Sequence, residues 1–285
     1  MKQIVVSIDL EPDYPPYLGP SYQSVNDATP KLLDLLHSES APATIFMLAE
    51  LCDPFPSLAK EIVQKGFHLG NHGLHHRILC SEDEQTQWRD LSESSRILQE
   101  SSGQRMTAFR APNFSMGNYA MSCLEKLGYR LDSSILPGRQ MRKRLHRTAY
   151  DFRGAPRSPY HPAVDNIKKP GSSPVLEIPA AENPMFRQRP IGGGYLNLNG
   201  PTKSLEAIKM TDLPIVVLVI HPWEFIDMWG KFPRLPRWMR QGCRANLPAL
   251  SELIGGLKDE GYRFSDLEQV AEGLKPALAE AVILH

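Results

Sequence analysis

Two histidines stand four residues apart in the segment HLGNHGLHH, His72 and His76, and an apolar run near the N-terminus, QIVVSI, ends in three acids, Asp9, Glu11 and Asp13. Imidazoles at this spacing can meet one cation on a helical turn or on a tight loop, because both bring the side chains to one side. A strand-end carboxylate as third ligand would make a two-histidine, one-carboxylate site with coordination positions open to water and substrate. Glu11 and Asp13 are both candidates for that carboxylate. Each feature alone has an ordinary reading: the acids as a solvated turn punctuated by Pro12, Pro15 and Pro16, the histidines as structural or solvated groups. What favours chemistry is that other polar residues fall at equivalent places. MTAFR ends in Arg110, YRLD in Asp132, and PIVVLVIH in His221. The spare histidines, His68 and His75, are expected to face the sheet and the outside of the loop.

Residues so far apart in the chain converge only if the elements before them run parallel and end on one rim. Apolar runs of strand length (QIVVSI, ATIFMLA, VLEIPA, PIVVLVIH) alternate with segments of helical period. A helical stretch over 24–40 carries Leu32, Leu33, Leu35 and Leu36 on one side. The helix FPSLAKEIVQKG is closed by Gly66, and the long helix from SEDEQTQ is expected to open with Ser81 and Glu84 in capping-box spacing. Repeated β/α units imply an α/β fold, a mainly parallel sheet covered by helices and curled into a barrel, whose strand C-termini form the active-site rim. One domain is expected over 1–285. Its rhythm fails at about 139–173, an excursion rich in Arg, Lys and Pro, which together with the PIGGGY loop is expected to cover the rim.

The 285 residues are 41% hydrophobic and 22% charged, enough to bury a full core. Lys plus Arg and Asp plus Glu are both 32, so no net positive field points to nucleic acid as a partner. No apolar run is long enough to span a membrane. The first apolar run is also short for a secretory leader, and a cytoplasmic location is the expectation. Cys52, Cys80, Cys123 and Cys243 show no CxxC spacing, so free thiols and indifference to reductant are expected.

In this order, SIDLEPD, HLGNHGLHH, FRAPNFS, LDSSI and VIHPWEF resemble the motifs of the polysaccharide deacetylase family, the NodB-homology carbohydrate esterases. FRAPNFS, PIGGGYLN and HPWEF are most similar to the branch found in bacterial exopolysaccharide gene clusters. The resemblance implies a distorted (β/α) barrel that binds a divalent metal, usually zinc, and removes acetyl groups from N-acetylated sugars. It further implies Asp9 as the base, His72 and His76 as metal ligands, Arg110 as the residue that orients Asp9, and His221 as the acid, with Asp132 a candidate for holding His221. Two departures stand out. Leu10 occupies the place of a second aspartate, so the ligand role passes to Glu11 or Asp13. Asn113 replaces a common aromatic residue, which leaves a backbone N–H donor but alters the substrate wall.

These roles suit the chemistry of an amide, a poor electrophile whose hydrolysis needs a polarised carbonyl, a base for water and an acid for the leaving amine. Gly193 in the glycine loop is expected to let the backbone approach the rim, and Trp223 either lines the acetyl pocket or packs. MWGKFPRLPRWMRQG mixes Trp229, Phe232 and Trp238 with basic residues and is read as a sugar-stacking surface, a contact with the anionic membrane around a lipid-linked substrate, or a solvated loop. The expected partner is an N-acetylated carbohydrate. The alternatives are an amidohydrolase on a non-sugar amide or ureide and a non-catalytic carbohydrate-binding relative. Oligomeric state has no signature in the sequence.

Overall fold

The computed structural model describes residues 2–13, 21–142, 148–227 and 242–274. The stretch read above as a sugar or membrane contact falls almost wholly in 228–241, outside the described residues. Eight strands form one sheet: β1 (Gln3–Leu10), β2 (Ala43–Met47), β3 (His68–Asn71), β4 (Ala108–Phe109), β5 (Leu131–Asp132), β8 (Leu176–Glu177), β9 (Ile215–Ile220) and β10 (Arg263–Phe264). All pairings within it are parallel. β9 lies along one edge of β1 from Gln3 to Ile8, so β2 and the short β10 share the other. Beyond β8 the chain swings back against β9, where Ala181 N–H donates to Val217 C=O at 3.1 Å and Val219 N–H to Ile191 C=O at 3.0 Å. These bonds draw the far edge of the sheet toward its start and curl it into the expected barrel.

Two apolar layers hold the curl. The larger packs Ile4, Val6, Ile8 and Leu10 of β1 against Leu32, Leu33 and Leu36 of the outer helices. The smaller fills the barrel floor with Val5, Phe46, Leu131, Leu176, Val217, and Leu267 and Val270 from a helical stretch at 267–274. Because side chains on a strand alternate, the inward row of β1 climbs from Val5 through Ser7 and Asp9 toward Glu11. The same row passes from apolar floor to polar rim.

The helices are α1 (Gln23–Asp27), α2 (Thr29–Ser38), α3 (Leu58–Gln64), α4 (Glu84–Ser102), α5 (Asn118–Leu127), α6 (Gly193–Thr211) and α7 (Leu247–Asp259). Three sequence expectations are corrected. The stretch 24–40 is two helices that break at Ala28, before Pro30 in the first turn of α2. α4 is capped by Asp83, whose side chain accepts from Thr86 N–H at 2.8 Å; Ser81 ends a short 3₁₀ turn instead. The excursion does not lie wholly over the rim. Its antiparallel hairpin, β6 (Gln140–Arg142) and β7 (Thr148–Asp151), does, with Tyr150 O–H donating to Asn113 C=O. The rest descends outside the barrel, bonded to Asn118 and Glu125 of α5 and to Thr211 at the end of α6. All four cysteines are free. No helix of the described residues is long and apolar enough to cross a membrane.

Candidate metal and acid-base site

Glu11, His72 and His76 meet above the C-terminal end of β1, their ligand atoms all within 4.8 Å of one another. Glu11 Oε2 lies 2.9 Å from His76 Nε2 and 3.6 Å from His72 Nε2. Its other oxygen accepts from Trp223 Nε1–H at 2.9 Å. His72 Nδ1 is 2.7 Å from Arg110 C=O, so that nitrogen carries the proton and the Nε2 lone pair is turned toward Glu11. Burial alone would raise the pKa of Glu11, yet the charge of His76 and contacts with both histidines hold it well below the usual range. Burial likewise opposes protonation of His76, and the Glu11 charge outweighs it and pushes His76 up. Glu11 Oε2 is buried without a well-directed hydrogen bond. A buried anionic oxygen left so, facing two imidazole nitrogens, fits a divalent cation, and the donor set suits zinc among others.

Asp13, the competing ligand, is occupied elsewhere. It accepts from Ser21 O–H at 2.6 Å and from the N–H groups of Gln23 and Ser24 at 2.7 and 2.9 Å, anchoring the start of α1. Glu11, and not Asp13, is therefore the acid that clusters with the two histidines. Leu10, between Asp9 and Glu11, turns to the outer apolar layer and is fully buried.

Asp9 stands between Arg110 and His221. Its Oδ1 accepts from Arg110 Nη1 at 2.9 Å, and its Oδ2 is 3.7 Å from His221 Nε2. Arg110 is wholly enclosed. Its Nη1 also donates to Ser7 Oγ, its Nε to Ser133 C=O and its Nη2 to Ser133 Oγ, at 2.7 to 2.9 Å, and the guanidinium sits 4.5 Å over the Phe46 ring. Four hydrogen bonds from all three nitrogens hold its planar fork, so the group is fixed as well as charged.

The partner of His221 is Glu224, not Asp132. Asp132 makes no ion pair with His221 among the described residues; it lies beside Glu177 on the next strand. Glu224 Oε2 is 3.5 Å from His221 Nδ1 and accepts the backbone N–H of His221 at 2.8 Å. The Trp223 ring stacks on the imidazole at 4.5 Å. Burial would lower the pKa of His221, but the hydrogen bond and charge of Glu224, with Glu11 and Asp9 behind, raise it to about 9. Sequence reasoning missed this role of Glu224. The available signal was its spacing, an acid three residues after His221 with Pro222 at the first position of the turn.

Gly193, expected to let the backbone approach the rim, packs on Glu224: a Cβ there would fall 2.3 Å from Glu224 Oε2, while Gly194 N–H donates to Oε1 at 2.7 Å. Trp223 contacts both Glu11 and His221. Asn113 adopts a left-handed conformation (φ 54°), and its N–H finds no acceptor among the described residues. His75 pairs outward with Glu50 at 2.6 Å, and His68 bonds Thr44 at 3.2 Å near the barrel floor.

Residues 4–131 match the family model described as polysaccharide deacetylase. A peptidoglycan-N-acetylglucosamine deacetylase of Bacillus cereus is 32% identical over 84 residues, 30% of this chain and 30% of that protein. The matches span 30% to 54% of the length of the first curated relatives. Among solved structures, a Mycobacterium smegmatis protein described as a polysaccharide deacetylase superposes with a TM-score of 0.67 at 19% identity, covering 97% of this chain and 91% of that one. A carbohydrate esterase family 4 pseudoenzyme of Bacillus anthracis superposes at 0.55 with 13% identity, covering 94% and 64%. At these identities the structures speak for the fold alone. Over residues 4–131 the chain thus resembles the polysaccharide deacetylase family, and its barrel is the fold of the solved structures described by that name.

Proposed function

We propose that the chain is a metal-dependent hydrolase that removes the N-linked acetyl group from a sugar within a glycan, glycolipid or glycoside. The observation that carries this reading is the convergence of a cation site, Glu11, His72 and His76, with a carboxylate and an imidazole that face one space, Asp9 Oδ2 and His221 Nε2 at 3.7 Å. A cation held there supplies Lewis acidity, polarising the amide carbonyl and lowering the pKa of the attacking water toward ~7 in the case of zinc.

The chain's own residues do the rest. Asp9 accepts the proton of the attacking water through Oδ2, while its Oδ1 stays bonded to Arg110, which keeps it aimed. His221, protonated through the neutral range, gives a proton from Nε2 to the departing amine nitrogen. The free N–H of Asn113 is the backbone donor available to the developing oxyanion, a role worth about 3 kcal/mol in comparable sites. A site that only bound sugar would need no buried carboxylate and imidazole facing one another beside a candidate cation cluster.

The test is acetate release from a panel of N-acetylated glycans and lipid-linked sugars, with and without added divalent metal. Glu11→Ala is expected to lose the metal. Asp9→Asn is expected to keep it and to lose about 10²- to 10⁴-fold in turnover. A metal-loaded protein that releases no acetate from any of the panel would overturn the reading in favour of a non-catalytic role, the condition named for the Bacillus anthracis neighbour. Release from non-sugar amides alone would favour the amidohydrolase alternative.

A further inference from the structure

Behind Arg110, two carboxyl groups lie side by side inside the barrel. The register of β5 and β8 sets Asp132 opposite Glu177, and both are fully buried. Neither forms an ion pair among the described residues. Asp132 Oδ1 accepts from Ser134 O–H at 2.6 Å, and Glu177 Oε1 accepts from Ile135 N–H at 3.1 Å. The remaining oxygen of each, Asp132 Oδ2 and Glu177 Oε2, has no other partner, and the two side chains are within hydrogen-bonding reach of each other. Two ionised carboxylates cannot occupy such a place at neutral pH, whereas one proton between them satisfies both orphan oxygens at once.

We propose that Asp132 and Glu177 hold one proton between them and serve as a positioning pair, fixing the 133–135 turn that grips Arg110 and, through it, the base Asp9. The connections are short. Ser133 takes two donors of Arg110 on its C=O and hydroxyl, and Ser134 Oγ takes the N–H of Ala111 at 2.8 Å, two residues before Asn113. One buried pair thus holds the arginine behind Asp9 and the strap that presents the oxyanion donor. The charged or titratable groups that face it are Arg110 from the end of β4 and Tyr160 from the excursion. Burial, then the charge of Asp132, raises Glu177 well above the carboxylate range; burial raises Asp132 too, with Ser134 and Arg110 opposing.

The linkage has a definite sign. A folded-state proton on an acid that is ionised in the unfolded chain makes stability fall as pH rises from the unfolded carboxyl value, about 4.3, to the raised value of the pair. Glu177→Gln keeps a donor toward Asp132 but cannot titrate. Its unfolding free energy, measured by denaturant titration between about pH 5 and 8, should lose a dependence of about one proton relative to the parent. His221 contributes a slope of the same sign to both proteins and cancels in the difference. On an N-acetylated oligosaccharide, Glu177→Gln should keep kcat within about threefold, while Glu177→Ala should lose about 10- to 100-fold in kcat with metal affinity unchanged. An identical pH slope in parent and Glu177→Gln would overturn the shared proton. Equal kinetic damage in both variants, or none in Glu177→Ala, would overturn the positioning role. The kinetic arm rests on the proposed deacetylation; if no protein in the series releases acetate, that reading fails alone, because the pH slope still reports the pair.

Discussion

At the scale of residues, one strand turns two acids to the same side because its side chains alternate. Asp9 and Glu11 share the inward face of β1, and Leu10 between them meets the outer core, so an apolar residue in the first motif costs the site nothing. This much was legible in the sequence, since strand-end acids and paired histidines declare their chemistry by type. The choice between Glu11 and Asp13 was not, because it depends on Ser21 and the N-terminus of α1 claiming Asp13. The partner of His221 was misread for a similar reason: a strand-end acid in LDSSI looked like a support, whereas Glu224, three residues along, reaches the ring. This yields a prediction. The acid form of His221 persists to about 9 chiefly because Glu224 outweighs burial. Activity should therefore fall on the alkaline side as His221 loses its proton, and Glu224→Gln should move that limb of the kcat/KM profile to lower pH. An unmoved limb would assign it to another group.

At the scale of elements, the glycine loop before α6 does what its sequence suggests: three successive glycines let two backbones approach closely. A Cβ at Gly192 would fall 1.7 Å from Val219 C=O, the strand that delivers His221, and the neighbouring amide at Gly194 holds Glu224. Gly255, in α7, has nothing within 4 Å of such a Cβ. Gly192→Ala should therefore cost about 1–3 kcal/mol by overpacking and displace His221. Gly255→Ala should stabilise by about 0.5–1 kcal/mol through helix propensity alone. Paired denaturant titrations would check both. Strands β4, β5 and β8, each of two residues, carry too little periodicity to be bounded from sequence, and only their parallel pairing in the order β3-β4-β5-β8 defines them.

At the scale of the whole molecule, the barrel is layered: an apolar floor, the buried Arg110 with its acids above it, and the cluster of Glu11, His72 and His76 with Asp9 and His221 at the rim. The excursion between β5 and β8 ties this stack to the outside of the fold. Its outer half descends to α5 and α6, while its hairpin touches the rim where Tyr150 O–H bonds Asn113 C=O and its ring stacks on Phe152 at 4.7 Å. Asn113 and Phe114 both have positive φ, 54° and 58°, a conformation that costs non-glycine residues about 1–3 kcal/mol each and persists only when neighbours hold it. The hairpin is such a neighbour. Tyr150→Phe keeps the stacked ring and removes the hydroxyl that bonds Asn113 C=O and meets Arg139, so stability should drop by about 1 kcal/mol. If the hairpin holds the turn, kcat should fall severalfold while metal affinity stays at the parent value, because Glu11, His72 and His76 stand on other loops. If the hairpin only covers the rim, KM will change and kcat will not. Single-turnover acetate release on the metal-loaded protein separates these outcomes, and an unchanged kcat would detach the excursion from the chemistry.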